Sequence, residues 1–160
     1  MAPATKKVPD GFHTVTPQLV LERCADAIEW YKKAFDAKEI SRALGPDGKI
    51  MHADVQIGNS RLFMNDPMMG GKGPQTLGGS PISLWLYVED VDTLFNRAVA
   101  AGAKAQMPVA DQFWGDRMGY LSDPFGYSWS IATHKEDLTP DEIRTRQAEF
   151  MKQFAASSGR

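Results

Sequence analysis

Two stretches of this chain carry the same pattern. Ala25–Lys38 reads ADAIEWYKKAFDAK, and sixty-six positions later Val91–Lys104 reads VDTLFNRAVAAGAK. Each follows a short apolar, strand-like segment, PQLVL at 17–21 and ISLWLYV at 82–88, and each leads into further strand-like segments joined by turns. A repeat of this period marks a supersecondary unit that cannot bury its apolar face alone and needs a second copy. The unit reads strand, helix, strand, strand, strand. The expected architecture is therefore α+β, with two βαβββ modules forming a cupped mixed sheet around a pocket.

The boundaries follow from local signals. Residues 1–11 (MAPATKKVPDG) read as a flexible arm, without the apolar core of a signal peptide. Residues 12–135 read as one domain: module one over 12–66, a glycine-rich mobile linker over 67–80, and module two over 81–135. Within module one, Gly45-Pro46-Asp47-Gly48 joins EISRAL to KIMHADVQI, and Gly58-Asn59 is a two-residue hairpin signal before SRLFMN. Within module two, strands are expected near 104–109, 117–122 and 128–133, the last pair joined by Asp123-Pro124-Phe125-Gly126. Residues 136–160 form a tail. There Thr139-Pro140-Asp141-Glu142 is a capping box, and Ile143, Phe150, Met151 and Phe154 give the predicted helix an apolar face. That face must be buried on its own domain or on a second subunit.

Strand residues alternate sides, so parity sorts them into faces. Leu19 and Leu21, the set Met51, Ala53, Val55 and Ile57, the set Ile82, Leu84, Leu86 and Val88, and the pair Trp129 and Ile131 point toward the helices. A two-residue turn at 58–59 pairs Val55 with Leu62 and Asp54 with Phe63. The other face then gathers Gln18, His52, Asp54, Gln56, Arg61, Phe63 and Asn65 in module one, and Ser83, Trp85, Tyr87, Ser128, Ser130 and Ala132 in module two. Such a mixed face is either solvated surface or pocket lining. Its large aromatics argue for a pocket.

The candidate site residues come from this face and from the loop WGDR. His52 is the candidate acid or base, with a hydrogen-bonded structural histidine as the alternative. Arg117 offers a bidentate fork to an anion, or a salt bridge to Asp116 or Asp111. Trp85 and Trp114 can stack on a planar or cationic ligand, or pack in the core or a dimer contact. Gln18, Asp54 and Phe63 complete the ligand-binding set. Cys24 reads as a packing residue, because no histidine is placed beside it. Gly70-Gly71-Lys72-Gly73 lacks the spacing of a phosphate-binding loop, and Met68 and Met69 read as connector or as a pliable lid.

Composition excludes some partners. A net charge of −2 gives no general attraction for nucleic acid or anionic membranes, and no apolar run is long enough to span a bilayer. A single cysteine allows no disulfide within the chain, which suits a reducing cytoplasm. The expected partner is a small molecule.

The runs TPQLVLERCADAIEWYKKAF, GPDGKIMHADVQIGNS, SLWLYVEDVD and WGDRMGYLSDPFGYSWSIATHKED resemble the vicinal oxygen chelate superfamily. The likeness is greatest to its PhnB-like, glyoxalase/bleomycin resistance protein branch, and it spans roughly residues 14–135. The resemblance implies the paired βαβββ fold and a homodimer. It also implies a divalent metal held by one ligand from each of four strands. Carried over by local alignment, those positions are Thr16, Phe63, Ser83 and Ser130, and none is a good donor to a divalent metal. The expectation is thus a protein that binds a small organic molecule with no metal or other cofactor. The alternative is a glyoxalase-type lyase or isomerase, or a dioxygenase-like enzyme, acting on a small oxygenated substrate with His52 as acid or base.

Overall fold

A computed structural model of the chain describes residues 3–158. Residues 1–2 and 159–160, at the ends of the expected arm and tail, lie outside the described residues. The chain forms two compact units, residues up to Pro81 with Pro124–Tyr127, and Ile82–Asp123 with the chain from Ser128 onward.

The first unit is one βαβββ module: β1 (Gln18–Val20), α1 (Cys24–Phe35), β2 (Lys38–Leu44), β3 (Ile50–Ile57) and β4 (Ser60–Asn65), with sheet order β1-β4-β3-β2. The hairpin register is the expected one, Asp54 opposite Phe63 and Val55 opposite Leu62, because a two-residue turn fixes which residues face each other. Cys24, Ala27, Ile28, Trp30, Tyr31, Ala34 and Phe35 of α1 are buried, a stripe at helical spacing. The turn Pro124–Tyr127 packs here: Phe125 meets Trp30 and Tyr31 edge-on, and the Val20 amide donates to the Tyr127 hydroxyl at 3.2 Å.

The helix α1 has no side-chain cap of its own at Arg23. Asp66 does that work from the end of β4. Its Oδ1 accepts from the Cys24 amide at 3.1 Å, and its Oδ2 accepts from the Ile50 amide at 2.8 Å. Cys24 itself is fully buried, and burial, followed by the nearby Asp66 charge, pushes its thiol up to about 12. At pH 8 its thiolate fraction is then on the order of 10³-fold below that of a free cysteine. The native protein should therefore resist Ellman's reagent and release one thiol equivalent only on denaturation. Rapid labelling of the folded protein would refute the packing role.

Two local expectations need correction. Met51 is 48% exposed while Ile50 is 1% exposed, because a register shift between Ala43 and Leu44 changes the phase at the start of β3. Residues 67–80 are not a plain linker: they include α2 (Pro74–Leu77), with Pro74 buried and the Thr76 amide donating to Glu22 Oε1 at 3.0 Å.

The second unit repeats the module as β5 (Ser83–Tyr87), α3 (Val91–Ala100), β6 (Lys104–Asp111), β7 (Asp116–Ser122) and β8 (Ser128–His134), in the order β5-β8-β7-β6. Asp90 caps α3 by accepting from the Thr93 amide at 3.0 Å. Leu121, Trp129 and Ile131 are fully or nearly fully buried, along with Val91, Phe95 and Ala98 of α3. Phe95 reaches the sheet at Gly119, where an added Cβ would lie 2.6 Å from its Cε2. Ile82 is 62% exposed and sits before β5, so it does not join the helix-facing set expected for it.

The tail forms α4 (Pro140–Ser158), and its capping box is made: the Thr139 amide donates to Glu142 Oε2 at 2.8 Å and the Glu142 amide to Thr139 Oγ1 at 3.3 Å. Phe150 lies against Phe113 with centroids 5.6 Å apart, and Phe154 follows it at 6.3 Å.

Candidate functional site

Each sheet has one helix-covered face and one mixed face, and the mixed faces hold most of the residues singled out from sequence.

On the first sheet the polar groups largely satisfy each other. Asp54 is buried, and Arg61 grips it with both arms of its guanidinium, Nε donating to Oδ1 at 2.7 Å and Nη2 to Oδ2. This is a diagonal cross-strand pair, since Arg61 stands opposite Gln56. The hydrogen bond to Asp54 raises the Arg61 pKa above its ordinary value. Arg61 also lies over the Phe12 ring at 4.6 Å, and Phe12 packs on Phe63 at 5.5 Å. His52 is exposed and meets the Phe63 ring edge-on at 4.7 Å. Gln18 donates to Asn65 Oδ1 at 2.8 Å. The structure therefore brings His52, Phe63, Asp54 and Gln18 to one face, but Asp54 is engaged by Arg61 rather than by His52.

The second sheet is arranged differently. Trp85 and Tyr87 stand side by side on β5, with centroids 6.0 Å apart and planes 37° apart. Asp116, 3% exposed, opens β7. Its Oδ2 accepts from the Tyr87 hydroxyl at 2.9 Å and from the Trp114 Nε1 at 3.0 Å, and its Oδ1 accepts from His134 Nδ1 at 2.8 Å. Burial alone would raise the Asp116 pKa, but hydrogen bonds from His134, Tyr87 and Trp114 outweigh it and hold the carboxyl below its usual range. His134 also reaches Asp137 at 3.0 Å, and this contact, then Asp116, raises the imidazole above its ordinary value. The same Asp116 bond pushes the Tyr87 phenol up.

Arg117 does not join this cluster. It is opposite Thr133 in the β7–β8 register, one residue out of phase with Asp116, and so belongs to the helix-covered side. There its Nε and Nη2 each donate to Asp92 at 2.8 Å, and Nη1 donates to Asp111 at 3.1 Å. Of the two roles the sequence offers, an anion fork or a salt bridge to Asp116 or Asp111, the Asp111 bridge is formed, and Asp92, a first-turn residue of α3, takes the rest of the fork. Asp116 and His134 were missing from the expected site. Parity would have placed His134 with Ser130 and Ala132, but nothing in the sequence pairs it with Asp116 eighteen residues away.

A divalent metal fits the four family positions poorly. Thr16 precedes β1, the Phe63 ring packs on Phe12 and His52, Ser83 is an exposed hydroxyl, and Ser130 is a buried one. None offers imidazole, carboxylate or thiolate. Among the described residues, no three His, Cys, Asp or Glu side chains are grouped to hold an ion. Among them also, no helix is long and apolar enough to cross a membrane.

The paired βαβββ modules with these two faces define a scaffold used by glyoxalases, bleomycin resistance proteins and extradiol dioxygenases. Residues 12–131 match the model of the Glyoxalase/Bleomycin resistance protein/Dioxygenase superfamily, and the chain belongs to that superfamily. It is 44% identical over 135 residues to the uncharacterized protein Rv0887c of Mycobacterium tuberculosis, covering 81% of this chain and 79% of that one. The crystal structure of TioX from Micromonospora sp. ML1 superposes with a TM-score of 0.61 at 25% identity, covering 79% of this chain and 100% of that one. The PhnB protein from Bacillus cereus shares the fold, with a TM-score of 0.59 at 21% identity over 76% of this chain and 99% of that one.

Proposed function

We propose that this protein binds a small planar organic molecule against the aromatic face of its second sheet, without a metal ion. One observation carries the reading. Trp85 and Tyr87 stand together on the face away from α3, 45% and 64% exposed. Apolar area left in water costs roughly 25 cal/mol per Å², which a stacked ligand recovers. Ser130 and Ala132 lie opposite these rings in the β5–β8 register and are themselves buried, so the exposed part of this face is the two rings. The metal-free part of the proposal is supported by the donor chemistry of Thr16, Phe63, Ser83 and Ser130.

Proflavine, a planar three-ring acridine, is a suitable probe. The wild-type protein should bind it in a fluorescence titration, and dialysis against EDTA should leave the affinity unchanged. Trp85→Ala or Tyr87→Ala should each weaken binding by roughly 5- to 150-fold, the range for losing one stacked ring. Binding that needs added metal, or that survives Trp85→Ala unchanged, would overturn the reading.

A further inference from the structure

Asp116 accepts hydrogen bonds from three side chains, and the function proposed above gives it no part. Its position is unusual for an acid. It is 3% exposed, yet the guanidinium next to it in sequence, Arg117, turns to the opposite face. Three neutral or weakly basic donors hold it instead: a phenol from β5, an indole from the loop before β7, and an imidazole from the end of β8. Two of the three, Tyr87 and Trp114, are aromatic rings whose remaining freedom is rotation about their side-chain bonds. A hydrogen bond at the tip of each ring removes that rotation.

We infer that Asp116 is a positioning residue: clamped by His134, its carboxylate fixes the Tyr87 hydroxyl and the Trp114 indole, and so sets the aromatic face that receives the ligand. The inference rests on the aromatic-face reading of function. Tyr87 is 64% exposed, and without an anchor its ring would sample several rotamers, each of which a ligand would have to freeze on binding. The indole Nε1–H can only donate, so it needs an acceptor at this point, and a carboxylate oxygen can accept from the indole and the phenol together. His134 completes the clamp. It faces Asp116 from β7 on one nitrogen and Asp137 on the other, with Tyr87 from β5 sharing the Asp116 carboxylate.

A carboxylate tolerates either protonation state of His134, because Nδ1–H can be kept in both. An amide does not. In Asp116→Asn, a charged His134 donates from Nδ1 and claims the single amide oxygen, which turns the NH2 toward the Trp114 N–H, two donors face to face. A neutral His134 can instead accept from the amide NH2 and leave the oxygen to Tyr87 and Trp114. The anchor in this variant is thus present at high pH and lost as pH falls and His134 takes up its proton; Asp137 still favours the charged ring there, while the Asp116 charge no longer does.

The test is proflavine titration of wild type, Asp116→Ala and Asp116→Asn across about pH 6 to 9, with the Trp114 indole N–H followed by NMR hydrogen exchange. The wild type should vary less than about threefold over this range, because its carboxylate keeps all three donors. Asp116→Ala should bind about tenfold or more weakly at every pH, with its indole N–H unprotected. Asp116→Asn should match wild type within about threefold at the alkaline end and fall toward Asp116→Ala at the acid end. A flat Asp116→Asn profile would overturn the inference, as would Asp116→Ala binding like wild type while Trp85→Ala has lost binding; in that second case the aromatic-face reading survives. If wild type and Trp85→Ala both fail to bind proflavine, the aromatic-face reading itself fails and takes the inference with it.

Discussion

A Gly115→Ala protein should be less stable than wild type by about 3 kcal/mol, seen as a fall of roughly 6–12 °C in melting temperature. Two effects add. Gly115 has φ 98°, in the left-handed region that L side chains rarely adopt. A Cβ there would also lie 2.5 Å from the Glu136 carbonyl oxygen and 3.3 Å from Leu138 Cδ1. The neighbouring backbone cannot simply move away, because the amides of Lys135 and Glu136 both donate to the Gly115 carbonyl at 3.0 Å. Gly78→Ala is the control, since Gly78 has φ 82° but nothing within 4 Å of an added Cβ. It should lose only about 1 kcal/mol, the backbone part alone. Equal losses in the two variants would mean that the close approach at Gly115 costs nothing. Because Gly115 lies between Trp114 and Asp116, its variant should also lose near-ultraviolet circular dichroism from the aromatic cluster.

Asp66→Ala should cost about 2–4 kcal/mol, the second large effect. The substitution strands two backbone donors in the interior, the amides of Cys24 and Ile50, whose residues are 0% and 1% exposed. Each buried unpaired donor costs roughly 1–3 kcal/mol, and water can reach neither without opening the end of α1. Asp66→Asn keeps one acceptor oxygen and should fall between wild type and Asp66→Ala. Chemical denaturation measures all three, and a loss below about 0.5 kcal/mol for Asp66→Ala would show that α1 does not depend on this cap.

Neither residue stands out in the sequence. Asp66 reads as the end of module one with no assigned role, and its role depends on the end of β4 arriving beside the start of α1, forty-two residues earlier in the chain. Local signals were legible where the interaction is local. Gly58-Asn59 sets the register of β3 against β4, and Thr139 with Glu142 caps α4, because each needs only residues within a few positions. Parity placed Trp85, Tyr87, His52 and Phe63 on mixed faces for the same reason: alternation is a property of the strand itself. It failed at Met51, where a bulge slips the phase. Arg117 shows a different limit. The sequence leaves the Arg117 guanidinium to an anion or to Asp116 or Asp111, and nothing in it points to Asp92, which α3 brings against it.

The sequence by itself determined that this chain folds as two βαβββ modules, which strands pair through tight turns, and that the four positions expected to hold a metal lack metal donors. The modules and their pairing follow from periodicity and turn chemistry, which are short-range; the four metal positions come from the family resemblance, and residue type shows that they lack donors. The tertiary structure decided which charges are spent and which aromatic rings are exposed. Asp54 goes to Arg61, Arg117 to Asp92, and Asp116 to Tyr87, Trp114 and His134. The physical reason is range: a hydrogen bond forms only within about 3 Å, and only the packing of whole elements brings Arg117 to Asp92, or Tyr87 and His134 to Asp116, within that distance.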